Sequence, residues 1–147
     1  MDELQSGDQT IRFDPTLTTA AYRAMPGGDA ERCGCTYCLN FAAQRSFVYP
    51  DEFCSLLKRI GIDSEKEGEA YELGPEGDVR LYGGWFYFAG EVIKAGERNS
   101  TLANFEFWFT DARRLPKPVG DFGVRVAAVE FITRLPWVLP DQPEPAP

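Results

Sequence analysis

The spacing of apolar residues predicts two helices in the first half of the chain. Residues 36–45 are rich in helix formers and begin at Thr36, a residue type that caps helices well. Residues 51–60 follow Pro50, carry acidic residues in the first turn and basic residues in the last, and end before Gly61. Their apolar positions have the i, i+3, i+4, i+7 spacing of one helix face: Phe53, Leu56, Leu57 and Ile60.

The second half of the chain has a hydrophobic repeat of two, which is typical of strands. Phenylalanine occupies every second position over residues 105–109, so the three rings lie on one face of a predicted strand. Residues 79–90 are apolar on both faces, which indicates a central strand that is covered on both sides. Gly83 and Gly84 within it indicate either a β-bulge or a close approach of another backbone. A last long strand is predicted over residues 124–135.

Helices followed by strands predict an α+β fold, in which two N-terminal helices pack on one face of a mainly antiparallel sheet of four to five strands. Residues 1–9 are polar and acidic, so we expect a disordered N-terminus. Residues 10–139 are expected to form a single α+β domain, and residues 140–147 an extended proline-rich tail. A chain of 147 residues can bury a core without the help of disulfides or a metal.

The charge of the chain narrows the choice of partners. The formal net charge is −8 and the isoelectric point is near 4.6, with the basic residues scattered along the sequence. Nucleic-acid binding requires a clustered basic face, so we expect none. An acidic surface favours a protein partner with a basic surface. No apolar run is long enough to span a bilayer, and the N-terminus lacks the pattern of a secretory signal, so we expect a cytoplasmic protein.

Three cysteines stand within six residues, in a chain that contains no histidine. The motif runs from Cys33 through Cys35 to Cys38. Without histidine there can be no Cys–His pair, no Ser–His–Asp triad and no imidazole ligand to a metal. Thiolates are good ligands for zinc, and Cys54 would complete a set of four. The sequence therefore predicts either no cofactor or one zinc ion held by these four cysteines.

Two other interpretations of the cysteines stay open. Cys35 and Cys38 form a C-x-x-C pair near the start of the first predicted helix, where the helix dipole lowers the pKa of a thiol and favours redox chemistry. Alternatively, the cysteines are small buried residues that pack a tight loop against the helices, because free cysteine is among the most buried residue types.

Aromatic residues on the predicted strands form a second candidate site. If rings lie on the face of the sheet that the helices leave free, they must be covered or must bind something. They would then line a small-ligand pocket or a partner surface, and a homodimer face is a further option. The alternative is that they simply form the core. The residues proposed for this surface are Tyr82, Trp85, Tyr87 and Trp108.

Carboxylates are the remaining catalytic option. Glu106 and Glu130 both lie on predicted strands and would be cross-strand neighbours on one face. Nothing in the sequence sets their separation, which decides whether such a pair can act in catalysis. A P-loop and a dinucleotide-binding glycine motif are both absent from the sequence. The sequence therefore favours a protein that is not an enzyme.

Three segments together resemble a family of small uncharacterised bacterial proteins. They are the CxCxxCxN motif at residues 33–40, the LYGGWF strand at residues 81–86 and the LPWVL segment at residues 135–139. The resemblance spans about residues 30–139, and Cys54 is not part of it. It implies a domain of unknown function and assigns no functional residue.

The leading functional hypothesis is a small acidic cytoplasmic binding module that acts through protein–protein contact. One version is an immunity-type or antitoxin-type inhibitor whose acidic face covers a basic partner. The first alternative is a cysteine-cluster protein with a structural zinc or a redox pair. The second alternative is an aromatic-lined binder of a small ligand.

Overall fold

The computed structural model describes residues 1–97 and 99–146, which have an α+β fold. The described residues form seven strands in an open antiparallel sheet and three helices of ten or more residues, so the class and sheet type are confirmed while the predicted counts were too low. None of these helices is both long and apolar enough to cross a bilayer. In chain order the elements are β1 (Asp2–Ser6), β2 (Gln9–Phe13), α1 (Pro15–Ala24), the short α2 (Asp29–Cys33), α3 (Thr36–Val48), α4 (Asp51–Ile60), β3 (Glu69–Glu76), β4 (Val79–Lys94), β5 (Ser100–Leu102), β6 (Phe105–Asp111) and β7 (Val126–Leu135).

The N-terminal residues form a hairpin instead of the disordered segment expected for residues 1–9. Strands β1 and β2 pair antiparallel across a turn at Gly7, where φ is +59°. Leu4 lies opposite Ile11, and both side chains are buried. β2 in turn pairs with β4, so the hairpin extends the sheet. Two apolar positions among polar ones are enough to hold an edge strand once a neighbouring strand is present.

Helix α1 is absent from the sequence prediction, which placed helices only over residues 36–45 and 51–60. Pro15 follows β2 and occupies the first turn of α1, where its fixed φ suits a helix. The Asp14 carboxylate accepts the backbone N–H of Leu17 at 3.0 Å and caps the helix. Tyr22 of α1 donates its hydroxyl to the backbone carbonyl of Tyr87 at 2.6 Å, so the helix is tied to β4.

Strand β4 is the centre of the sheet. It pairs with β2 and β3 along one edge and with β7 along the other, and the sheet continues from β7 to β6 and β5. Its register with β7 is continuous through Gly83 and Gly84, so these residues mark a close backbone approach and not a bulge. A Cβ on Gly84 would overlap the backbone carbonyl of Glu69 and lie 2.7 Å from the ring of Phe131. The irregularity lies in β3 instead, between Glu72 and Gly74.

The inner face of the sheet packs on α3 and α4, as the sequence predicts for two helices on one face. Phe53 of α4 is fully buried, with its ring centroid 4.6 Å from that of Phe105 and 5.1 Å from that of Phe107. Phe41 of α3 stacks on Phe131 at 6.3 Å. These rings form one continuous aromatic core between the helices and the sheet, which fixes the position of the helices relative to the strands.

The C-terminal segment is hydrogen-bonded to the domain, and the extended tail expected over residues 140–147 stays a prediction. The Asn40 side chain donates to the carbonyl of Pro136 at 3.1 Å and accepts the N–H of Val138 at 2.8 Å. Arg80 is buried and donates to the Glu144 carboxylate at 3.0 Å. A buried guanidinium needs such partners, and the segment supplies two of them, the Glu144 carboxylate and the carbonyl of Pro145. Pro147 lies outside the described residues.

Candidate metal centre

The three clustered cysteines converge where α2 meets α3. Their sulfur atoms all lie within 4.8 Å of one another. Cys33 is the last residue of α2, and Gly34 follows it in a left-handed conformation with φ at +67°, which favours glycine. The backbone N–H of Gly34 donates to the carbonyl of Ala30 at 3.2 Å and closes α2. The chain then reverses into α3, which places the next two thiols beside Cys33.

Helix capping explains the position of the other two thiols. Cys35, and not Thr36 as predicted, is the N-cap of α3. Its sulfur accepts the backbone N–H of Cys38 at 3.4 Å, in the manner of a serine or aspartate at this position. The N-cap and the third helical residue lie on the same side of the first turn. Cys35 and Cys38 are therefore neighbours because of the helix itself.

The three thiols differ in exposure and in acidity. Cys38 is buried, whereas Cys33 and Cys35 are exposed to solvent. Burial raises the pKa of the Cys38 thiol, and its hydrogen bonds with the other two thiols raise it further. Burial also acts to raise the pKa of Cys35, but hydrogen bonds from the amide and thiol of Cys38 and from the thiol of Cys33 outweigh it, so this pKa is lowered. Of these two thiols, Cys35 is therefore the more acidic.

Cys54 does not join the other three, so the predicted four-sulfur set is not formed. It lies on α4 directly after Phe53, whose ring points into the core, and its own side chain is exposed. The Cys54 thiol donates to the carbonyl of Tyr49 at 3.6 Å. Burial raises its pKa and the charge of Asp51 raises it further. The side of a helix on which a residue lies decides whether its side chain can reach a neighbouring cluster. Cys54 lies on a side of α4 that does not bring its thiol to the other three.

A buried ion pair holds α2 against α3. Glu67 has no solvent exposure, and its carboxylate accepts the N–H of Ala30 at 3.0 Å and the Arg45 guanidinium at 2.7 Å. Arg45 also pairs with Glu31 of α2. Burial raises the pKa of Glu67, and the bonds to Ala30 and Arg45 lower it only in part. These residues give no signal in the sequence, because 22 positions separate Arg45 from Glu67 and no local pattern connects them.

The predicted aromatic surface is divided between the two faces of the sheet. Tyr82 lies on the inner face under α3, is 1% exposed, and donates its hydroxyl to the carbonyl of Tyr37 at 3.0 Å. Burial raises the pKa of Tyr82 to about 12. Since its ring is enclosed between helix and sheet, Tyr82 cannot share a surface with the other proposed residues.

Trp85, Tyr87 and Trp108 lie on the outer face. Trp85 and Trp108 flank Glu130 in one row across β4, β7 and β6. The indole N–H of Trp108 donates to Glu130 at 2.9 Å, whereas that of Trp85 has no hydrogen-bond partner in the part of the chain that the structure describes. Trp85 and Tyr87 are only 8% and 3% exposed, so most of their area is covered within the chain.

The two candidate catalytic carboxylates share the outer face but do not lie opposite each other. Glu130 pairs with Trp108 in β6, while Glu106 pairs with Ile132 in β7, one step along the same face. Burial raises the pKa of Glu130, and the hydrogen bond from Trp108 partly offsets this. The arrangement is a half-buried carboxylate between two indoles, with no second carboxylate opposite it.

Comparison with known proteins returned no match to a family model, a curated protein or a solved structure.

Proposed function

We propose that this protein binds one zinc ion through the thiolates of Cys33, Cys35 and Cys38. The observation that carries the proposal is the convergence of the three sulfur atoms within 4.8 Å of one another. Tetrahedral zinc with bonds of about 2.3 Å requires sulfurs about 3.8 Å apart, which small side-chain rotations can reach from this arrangement. Histidine is absent from the chain, so the site is built of sulfur alone.

The choice of zinc follows from the donor set. Thiolates favour zinc and other soft ions over magnesium and calcium, which take oxygen ligands. A bound zinc would tie the end of α2 to the first turn of α3, two elements that Glu67 and Arg45 already hold together. The aromatic core lies elsewhere between α3, α4 and the sheet, so the metal adds local stability to a fold that has its own core.

The experiment is elemental analysis of protein prepared without a metal-affinity tag. We expect about one zinc per chain in the wild type and in Cys54→Ser, and a large loss in Cys38→Ser. Cys54→Ser is the matched control, since it removes one thiol from the same protein outside the cluster. Retention of zinc in Cys38→Ser, or absence of zinc from all three proteins after growth with added zinc, would overturn the proposal. Circular dichroism identifies any variant that fails to fold.

The predicted basic partner and the predicted redox pair stay predictions. The prediction of a basic partner is based on the net charge of −8, and co-purification with the full chain tests it. For the redox pair, α3 is preceded by α2, whereas thioredoxin-like C-x-x-C motifs follow a strand of a βαβ unit. The lowered pKa of Cys35 and its closeness to Cys38 fit either chemistry, and the third converging thiol, Cys33, favours the metal site.

A further inference from the structure

A zinc ion in this site would lack a fourth protein ligand. Structural zinc takes four ligands, whereas the group of potential ligands among the described residues contains three. Cys54, the fourth cysteine of the chain, lies on α4, and its thiol donates a hydrogen bond to the backbone carbonyl of Tyr49 instead. Three protein ligands with one open position are typical of zinc sites that bind an exogenous molecule.

An incoming ligand could approach the site from solvent. Cys38 anchors the site from the buried side, while Cys33 and Cys35 are both exposed. A small molecule can therefore reach the metal without any rearrangement of the core.

Three thiolates on Zn²⁺ would leave the metal centre with a net charge of −1, and the positive end of a helix dipole would offset part of that charge. The site lies at the N-terminus of α3, a helix of 13 residues whose dipole is positive at that end. Cys35 is the N-cap and Cys38 stands in the first turn, so the metal lies within the range of this effect. A metal already bound by three thiolates is a soft centre, and thiolate is the soft anion available to it.

We infer that the fourth ligand of the zinc is the thiolate of a small exogenous thiol, an inference that rests on the proposed zinc site. In the exchange, the zinc–oxygen bond to a water molecule breaks and a zinc–sulfur bond forms. The thiol proton passes to solvent, and no atom is oxidised or reduced. The site thus binds or presents a low-molecular-weight thiol at the surface of the domain.

X-ray absorption at the zinc edge tests this inference, because it separates sulfur neighbours from oxygen or nitrogen neighbours. The zinc-loaded full chain is measured in thiol-free buffer and again with 2-mercaptoethanol. This probe is neutral before it binds, so the acidic surface of the protein does not repel it. 2-(Methylthio)ethanol, which has no ionisable thiol, is the matched control ligand, and Cys54→Ser is the matched control protein.

The expected result is three sulfurs and one oxygen or nitrogen in thiol-free buffer, changing to four sulfurs with 2-mercaptoethanol and unchanged with the thioether. Four sulfurs in thiol-free buffer, or a light atom that 2-mercaptoethanol does not displace, would overturn the inference while leaving the zinc site intact. Failure of the zinc site itself is recognised separately, because no zinc is then found in the protein and both proposals fall.

Discussion

Substitution of Gly84 by alanine tests the close approach at the centre of the sheet. The new Cβ would lie 2.7 Å from the Phe131 ring, about 0.7 Å inside the 3.4 Å at which ordinary contact begins, and would overlap the backbone carbonyl of Glu69 more severely. A ring can turn aside, but a carbonyl within a strand pair cannot move without breaking the ladder between β3 and β4. The strain must therefore be distributed into the backbone.

Overpacking of this kind costs about 1–3 kcal/mol, and the backbone contact places Gly84→Ala near the upper end. That corresponds to a fall in Tm of roughly 6–12 °C, measured by thermal or urea unfolding. Gly27→Ala is the matched control, because nothing lies within 4 Å of its Cβ position. Gly83→Ala should be intermediate, since its Cβ would meet only the side chain of Tyr71, at 2.7 Å.

The rank order of the three variants in unfolding free energy tests the close approach at Gly84. If the unfolding free energies of Gly84→Ala and Gly27→Ala differ by less than about 0.5 kcal/mol, β3 and β4 do not approach each other closely at Gly84. If Gly83→Ala is the more damaging of the two central variants, the contact with Tyr71 limits the sheet and the contact with the Glu69 carbonyl does not.

Three further predictions concern the core, the outer face and the C-terminal segment. Phe53→Ala should lose about 3–5 kcal/mol of unfolding free energy in urea, whereas Phe47→Ala, at a side chain that is 85% exposed, should change it by less than about 0.5 kcal/mol; equal losses would contradict the core assignment. Burial raises the pKa of Glu130, so its contribution to stability is present at acid pH and is lost as the pH rises through the folded value. The unfolding free energy of Glu130→Gln, measured in urea titrations, should therefore rise relative to that of the wild type as the pH goes from acid to neutral. A difference between the two proteins that does not vary with pH would contradict this. Asn40→Ala should speed proteolysis within residues 136–146 without loss of the core circular dichroism signal, because the two hydrogen bonds that Asn40 makes to the segment disappear; an unchanged cleavage rate would show that the remaining contacts, such as that of Gln44 with Pro136, are enough to hold it.

Local patterns were enough to predict α3 and α4, which carry Cys38 and Cys54, and the inner aromatic face. The apolar spacing from Phe53 to Ile60 and the flanking Pro50 and Gly61 describe α4 at nearly its observed bounds. The convergence of Cys35 and Cys38 follows from the first turn of a helix, which is also a local property. These features depend on residues a few positions apart, which a sequence displays directly.

Features that depend on distant residues were missed or misplaced. The β1 strand has one buried apolar residue, Leu4, and forms because β2 is held by β4 some 80 residues later in the chain. Helix α1 was missed, although Asp14 and Pro15 form a local signal for the start of a helix, an N-cap followed by proline in the first turn. Cys54 could not be placed, because the relative rotation of α3 and α4 is set by rings from both helices and the sheet.

The grouping of Tyr82 with Trp85, Tyr87 and Trp108 disregarded the alternation of side chains between the two faces of a strand. The alternation predicts that residues 82 and 85 point to opposite faces, but it does not say which face the helices cover. The packing of α3 on Tyr82 resolves this, through the hydrogen bond to Tyr37. The outer face then retains two indoles and Glu130, a smaller surface than the sequence indicated.

Native mass spectrometry of the untagged wild-type chain, produced in cells grown with added zinc, tests directly whether the three cysteines hold a zinc ion. The account predicts a main species heavier than the bare chain by one zinc ion, which a chelator converts to the bare mass while the fold is retained. A main species at the bare mass before any chelator is added would contradict it, and the three converging thiols would then be packing residues of the loop between α2 and α3.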